Sequence, residues 1–201
     1  MLLSAYKAYN ETRRLKKIAH QVRVYGKVPA GVKQDDIFKA LRMGAPKHSA
    51  EIWGVLSAKV QRALDGTMED RGIVSVREIT QAFTKRLVDA MCDSAVSVSC
   101  FNQHRMGAGS AAETDTDIGG TVTFQAGSQS GNATQTHGSS SSIYQSVGTL
   151  TAGSSYGCRE HGLMSLSTGG VLLDRSVVTN IDLNTDDIVT WTYSLTCNFG
   201  G

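Results

Sequence analysis

The 201 residues carry 20 Lys and Arg against 18 Asp and Glu, with 21 Gly, 2 Pro and few aromatics; this is the composition of an ordinary globular chain, long enough for one large domain or two small ones. No run approaches the roughly 18 apolar residues of a membrane span, and "MLLSAYKAYNETRRLKK" places its basic residues after a short, interrupted apolar patch, the reverse of a secretory signal. A soluble protein, used without export through a signal peptide, is the expectation.

The net charge of +2 conceals an asymmetry. Residues 1–94 hold 17 Lys and Arg against 10 Asp and Glu, residues 95–201 hold 3 against 8, and no Lys follows Lys85. Such a split predicts two modules with different partners or faces.

The first module reads as helical. In "YNETRRLKKIAHQVRVYGK" the cations Arg13, Arg14, Lys16, Lys17, Arg23 and Lys27 crowd a segment with helical propensity and a thin apolar face. Two readings stand side by side: a docking arm over residues 1–34 for an acidic surface or nucleic acid, and a solvated helix face. "DDIFKALRMG" predicts a short helix, with acidic residues at its start and Gly44 at its end. "SAEIWGVLSAKVQRAL" places Ile52, Val55, Leu56, Val60, Ala63 and Leu64 on one helical stripe that stops at Asp65-Gly66. "SVREITQAFTKRLVDAM" predicts another helix, with Ser75 and Glu78 in capping-box positions and Val76, Ile79, Phe83, Leu87 and Ala90 on one face.

Near residue 95 the period changes to two. "AVSVSCF", "GGTVTFQAG", "SIYQSVGTL", "HGLMSLS", "GVLLDRSVV" and "DIVTWTYSLTCNF" are short β-prone runs with no helix between them. The last puts Val189, Trp191, Tyr193, Leu195 and Cys197 on one face and Thr190, Thr192, Ser194 and Thr196 on the other. The expected fold is therefore α+β: a basic helical module over residues 1–94, then an acidic antiparallel β-sandwich, jelly-roll-like, over residues 95–201. Between the early strands, "AGSQSGNATQTHGSSSS" has the composition of a disordered tract, whose ordering calls for packing by neighbouring chains.

Candidate chemistry is sparse. Cys92, Cys100, Cys158 and Cys197 include no CxxC pair and read as free thiols, with a Cys158–Cys197 bridge as the minor alternative. In "CREHGLMSLSTGGVLLDRSVV" a hydrolase would use Ser165 or Ser176 as nucleophile, His161 as base and Asp174 as orienter, yet no Ser occupies a G-x-S-x-G elbow. A hairpin turning at Thr168-Gly169-Gly170, with Glu160, Asp174 and Arg175 forming cross-strand ion pairs, accounts for the same residues better. His104, His137 and His161 are too far apart in sequence to suggest a metal site. "ETDTD" and "NIDLNTDD" lack the spacing and Gly of a calcium loop, leaving Asp186 or Asp187 as the minor Ca2+ alternative. "GAGSAAE" lacks the Lys-Ser/Thr of a phosphate loop. No catalytic, cofactor-binding or metal residue is assigned.

Four segments, "FNQHRMGAGSAAETDTDIGG", "SIYQSVGTL", "REHGLMSLSTGGVLLDRSVVTNIDL" and "VTWTYSLTCNFGG", together resemble a group of tailed-bacteriophage virion structural proteins over about residues 100–201. That group carries a GxGxxAExxxDT segment, an EHGLF strand, a GTLLDRSVF strand and a closing FTYxLTxxxGG. Gly107, Gly109, Ala112, Glu113 and Asp117 fit the first loosely; Glu160, His161 and Gly162 fit the second; Leu172 to Val177 fit the third closely. Val178 stands where the group has an aromatic, and Asp186-Asp187 replaces a Gly-Asp turn. The resemblance implies a non-enzymatic virion component, assembled in the host cytoplasm: a capsid decoration protein or a neck or tail part. Its implied partners are other virion proteins and further copies of itself, with no membrane and no cofactor; nucleic-acid contact by the basic N-terminal segment is the alternative partner. The opposite charges of the two halves favour head-to-tail contacts between copies. A receptor- or glycan-binding module at a fibre or tail base is the second reading, and a hydrolase the last.

Overall fold

The computed structural model describes residues 2–25, 28–29, 31–44, 50–93, 95–97, 101–109, 133–137, 143–166 and 170–199. Two helices come first, α1 (Leu2–Tyr25) and α2 (Gln34–Gly44); then two strands, β1 (Ala50–Gln61) and β2 (Met68–Glu78); then α3 (Gln81–Cys92). Six strands complete the chain: β3 (Gln103–Gly107), β4 (Thr134–His137), β5 (Ile143–Thr151), β6 (Tyr156–Met164), β7 (Leu172–Leu183) and β8 (Ile188–Phe199).

The strands form two antiparallel sheets, a five-stranded one in the order β2-β1-β8-β5-β4 and a three-stranded one in the order β3-β6-β7. Leu56, Ala58, Val60, Leu150, Val189, Trp191 and Tyr193 of the larger sheet meet Met106, Cys158, Leu163, Leu173 and Ile181 of the smaller in one core. The fold is α+β with a sandwich-like arrangement, as expected.

The large sheet is covered on its other face too. Leu15, Ile18, Ala19 and Val22 of α1 and Ile37, Phe38 and Leu41 of α2 form a second core with Trp53, Val55, Val76 and Ile143. The apolar face of α1, thin as it is, is sufficient because α2 and the sheet complete its burial. The cover also explains why Ser194 and Thr196, on the polar face of β8, are buried: their ladder partners are Val55 and Trp53.

The helix expected over 49–64 is instead strand β1, paired with β2 and β8 along its length. Its inner face carries Leu56, Ala58 and Val60 and its outer face Trp53 and Val55. A strand buried on both faces has apolar residues at adjacent positions, which imitates a helical stripe. Consequently the five-stranded sheet draws on residues from both sides of position 95, and Asp65-Gly66 is a hairpin turn, with Gly66 at φ 71°.

The capping box at Ser75 and Glu78 is likewise corrected: both lie in β2, and α3 starts later, at the N-cap Thr80. The Thr80 hydroxyl accepts from the Phe83 amide at 3.1 Å and donates to the Leu172 carbonyl at 2.6 Å, stitching α3 onto β7. "AVSVSCF" is no strand in its described residues; Ala95–Ser97 follow α3 as a turn and irregular chain, and β3 begins at Gln103. "GGTVTFQAG" lies outside the described residues.

Candidate functional site

The basic segment, the hairpin and the turn at Asp186-Asp187 were the sequence candidates, and the fold treats each differently. On α1, Arg13, Lys16 and Lys17 are exposed, because Leu15, Ile18, Ala19 and Val22 turn the opposite face to the sheet. Beside them, Ile18, Pro29 and Val32 line an open groove. Arg14 is used differently: it donates to Glu11 at 2.8 and 2.9 Å and to Asp36 at 3.2 Å, tying α1 to α2. The same guanidinium holds the Glu11 carboxyl below its ordinary range. The Arg23 side chain and Lys27 lie outside the described residues.

Strands β6 and β7 pair as the expected hairpin, with the Ser165 amide donating to the Val171 carbonyl and the Ser165 hydroxyl accepting from the Val171 amide, at 2.9 and 2.8 Å; Thr168 and Gly169 lie outside the described residues. Arg175 donates to Oε2 of Glu160 through Nε and Nη2 at 3.1 and 2.7 Å, and the two side chains are 3% and 0% exposed. Burial at this level makes removal of either partner costly, since the other charge is left desolvated. Asp174 points elsewhere: its Oδ2 accepts from the Ser176 hydroxyl at 2.7 Å.

Inside the sandwich lies a polar chain that sequence reasoning missed. His104 Nδ1 is 2.8 Å from His161 Nε2, His104 Nε2 is 2.9 Å from the Ser146 hydroxyl, and the His161 ring lies against Trp191 with centroids 4.7 Å apart. Gly148 makes the room: a Cβ there would stand 2.5 Å from the His104 ring. Nδ1 of His161 faces no partner among the described residues. An unmet acceptor is the less costly buried state, so the bonds run from His161 Nε2–H to His104 and from His104 Nε2–H to Ser146. Burial lowers His104 to about 3 and, with His104 alongside, pushes His161 well down, so both rings are neutral. The only sequence cue is period two: His104 and Met106 alternate on one strand, His161 and Leu163 on another.

This arrangement withholds the contacts a serine hydrolase needs. Ser176 bonds Asp174 rather than His161, Ser165 holds the hairpin turn, and His161, Asp174 and Ser176 are at most 1% exposed.

Between the β1–β2 and β7–β8 turns, Asp187 acts as a bracket. Its Oδ1 accepts from the Ala63 amide at 2.8 Å, and its Oδ2 from the Asn184 amide at 2.9 Å and Arg62 at 2.8 Å. Arg62 also donates to Glu69 at 2.6 and 3.0 Å and to the Asp182 carbonyl at 2.7 Å, joining the β1–β2 turn to the β7–β8 turn. Burial raises the Asp187 carboxyl, but the two amides and Arg62 outweigh it and leave the group below its ordinary value. These bonds engage both Asp187 oxygens, and no group of three or more His, Cys, Asp or Glu among the described residues could hold a metal ion. Neighbouring Asp186 sits at φ 69°, a left-handed position that suits glycine. The Asp-Gly turn was the signal that Arg62 stands in a hairpin.

Cys158 is a buried free thiol that burial pushes up to about 12, so it is not bridged to Cys197; Cys92 is free and exposed. "ETDTD" falls outside the described residues, as does the His137 side chain. Among the described residues, no helix is long and apolar enough to cross a membrane. No family model, curated protein or solved structure matches this chain.

Proposed function

We propose that this chain is a non-enzymatic structural component of a tailed-bacteriophage virion, a capsid decoration protein or a neck or tail part, which assembles in many copies through its β-sandwich and docks by the basic face of α1. One observation carries the reading: the residues that resemble the virion group are consumed as framework. Glu160 and Arg175 pair in the interior of the β6–β7 hairpin, Ser176 bonds Asp174, and Trp191 and Tyr193 of the closing strand fill the core. Residues with these roles specify a rigid shape, which suits a subunit whose work is packing against neighbours. The exposed Arg13, Lys16 and Lys17, fixed in orientation by the buried side of α1, suit an acidic partner surface.

The test is quantitative mass spectrometry of particles released from the host that encodes this chain, counted against the major capsid protein. A ratio near one, or a simple fraction of it, assigns a shell-wide decoration protein; about a dozen copies or fewer assigns the neck or tail. Absence from the particles overturns the proposal. In the first two cases Lys16→Glu with Lys17→Glu lowers incorporation, most strongly at low salt.

A further inference from the structure

We infer that copies of this chain join head to tail, with the β1–β2 turn of one copy seated in the groove beside α1 of the next. The inference rests on the reading of the chain as a self-assembling subunit and assigns the contact to particular residues.

The turn is a built knob. Leu64 at its tip is 97% exposed and Met68 beside it is 58% exposed. A single exposed leucine is ordinary. This one is held by the turn beneath it: the Gly66 amide donates to the Arg62 carbonyl at 2.9 Å, the Arg62 amide to the Thr67 carbonyl at 2.9 Å and the Thr67 amide to the Asp65 carboxylate at 2.9 Å, while the Asp187 bracket fixes Ala63. Little ordering entropy remains to be lost when such a tip is bound. It is also acidic: Asp65, Asp182 and Asp186 are exposed there, while Glu69, Asp70 and Asp187 are paired with Arg62, Arg71 and Lys59.

The groove has the opposite character. Its walls include Ile18, Pro29 and Val32, and its rim Arg13, Lys16 and Lys17. No acidic residue falls between Arg13 and Lys17. An apolar tip within an acidic collar thus faces an apolar floor within a basic rim, the pairing of core and rim that interfaces use.

Position makes the contact intermolecular. The described residues that line the groove come from α1 and from 29–32, and none belongs to the turn, so the tip enters the groove only of another copy. Two unlike surfaces of one chain generate a heterologous contact, which closes into a ring or extends as a row.

The test uses the purified full chain in sedimentation velocity, with two surface variants, Leu64→Asp and the double change Lys16→Glu with Lys17→Glu. The unaltered chain associates with rising concentration and dissociates with added salt, and each variant alone weakens association by about tenfold or more. Mixed in equal amounts, the two variants form one-to-one dimers that grow no further: the intact tip of the double variant fills the intact groove of Leu64→Asp, and both remaining surfaces are spoiled. A chain that stays monomeric at every concentration and salt overturns the inference, as do oligomers indifferent to both variants or a mixture that gives no dimer. Particle counting is independent: a chain abundant in virions yet monomeric in solution ends this inference and leaves the virion reading, while a chain that pairs in solution but is missing from particles does the reverse.

Discussion

The two faces of the large sheet bury different chemistry. Under α1 and α2 the second core gathers aliphatic and aromatic side chains, among them Val22, Ile37, Leu41, Trp53 and Val55, and its buried polar groups are the uncharged hydroxyls of Ser194 and Thr196. Between the sheets, the main core surrounds His104, His161, Ser146, Asp174 and Ser176, all 0–1% exposed. Apolar packing is tolerant of solvent conditions, whereas a buried polar chain is favourable only while each group keeps its protonation state and partner. The difference teaches that the two cores fail under different stresses.

Acid separates them most sharply. His104 is lowered to about 3 and His161 lies well below its ordinary 6.5, so the unfolded chain binds protons near pH 6 that the folded chain refuses. Their stabilisation is complete above about pH 6.5 and is lost as pH falls, at about 1.4 kcal/mol per pH unit for each histidine. Asp187 adds to the loss only at lower pH, as its depressed carboxyl protonates. Urea midpoints measured from pH 7.5 to 4.5 should drop steeply for the unaltered chain and much less for the His104→Gln, His161→Gln double variant. Equal slopes would mean that the histidines are solvated.

Leu41→Ala probes the other core. The side chain is fully buried, and truncation costs about 2–5 kcal/mol with a cavity where α2 meets the sheet. Its loss, read from the same denaturation curves, should be the same at pH 7.5 and 5.5, since the side chains that form this cluster are apolar.

Gly148→Ala tests how tightly the polar chain is seated. The new methyl would crowd the His104 ring, so a destabilisation of about 1–3 kcal/mol is expected. Imidazole NMR shifts should report His104 displaced from Ser146, with the signals of α1 and α2 unchanged.

The smallest effect belongs to neither core. Asp186→Gly relieves a left-handed backbone at φ 69°, and a gain of about 0.5 kcal/mol should appear as a slightly raised thermal midpoint. A loss would mean that the carboxylate contributes more than the backbone strain removes.

Much of this was readable from local pattern. Strand β8 was legible from unbroken alternation, the β6–β7 hairpin from two alternating runs around a Thr-Gly-Gly turn, and α2 from its acidic start and glycine stop. β1 was misread because Trp53-Gly54-Val55-Leu56 puts apolar residues on both faces, and the reason for that, two helices lying on the outer face, is not a local property. Ser75 and Glu78 have the identities of a capping box without its geometry, since both, with Val76 between them, pair with β1. Of the candidate site, the Glu160–Arg175 pair follows from hairpin register, while the use of Arg14 to hold α2 depends on Asp36, 22 residues away.

By itself, then, the sequence determined the α+β class, the late strands, the position of the basic face on α1 and the opposite charges of the two halves, because periodicity, turn residues and charge are properties of neighbours along the chain. Only the tertiary structure decided that β1 and β2 join the sheet built by the C-terminal half, that His104 and His161 meet in its core, and that α1 and residues 29–32 enclose a groove with a basic rim. Those outcomes depend on which surfaces bury one another, and burial is settled between segments far apart in sequence.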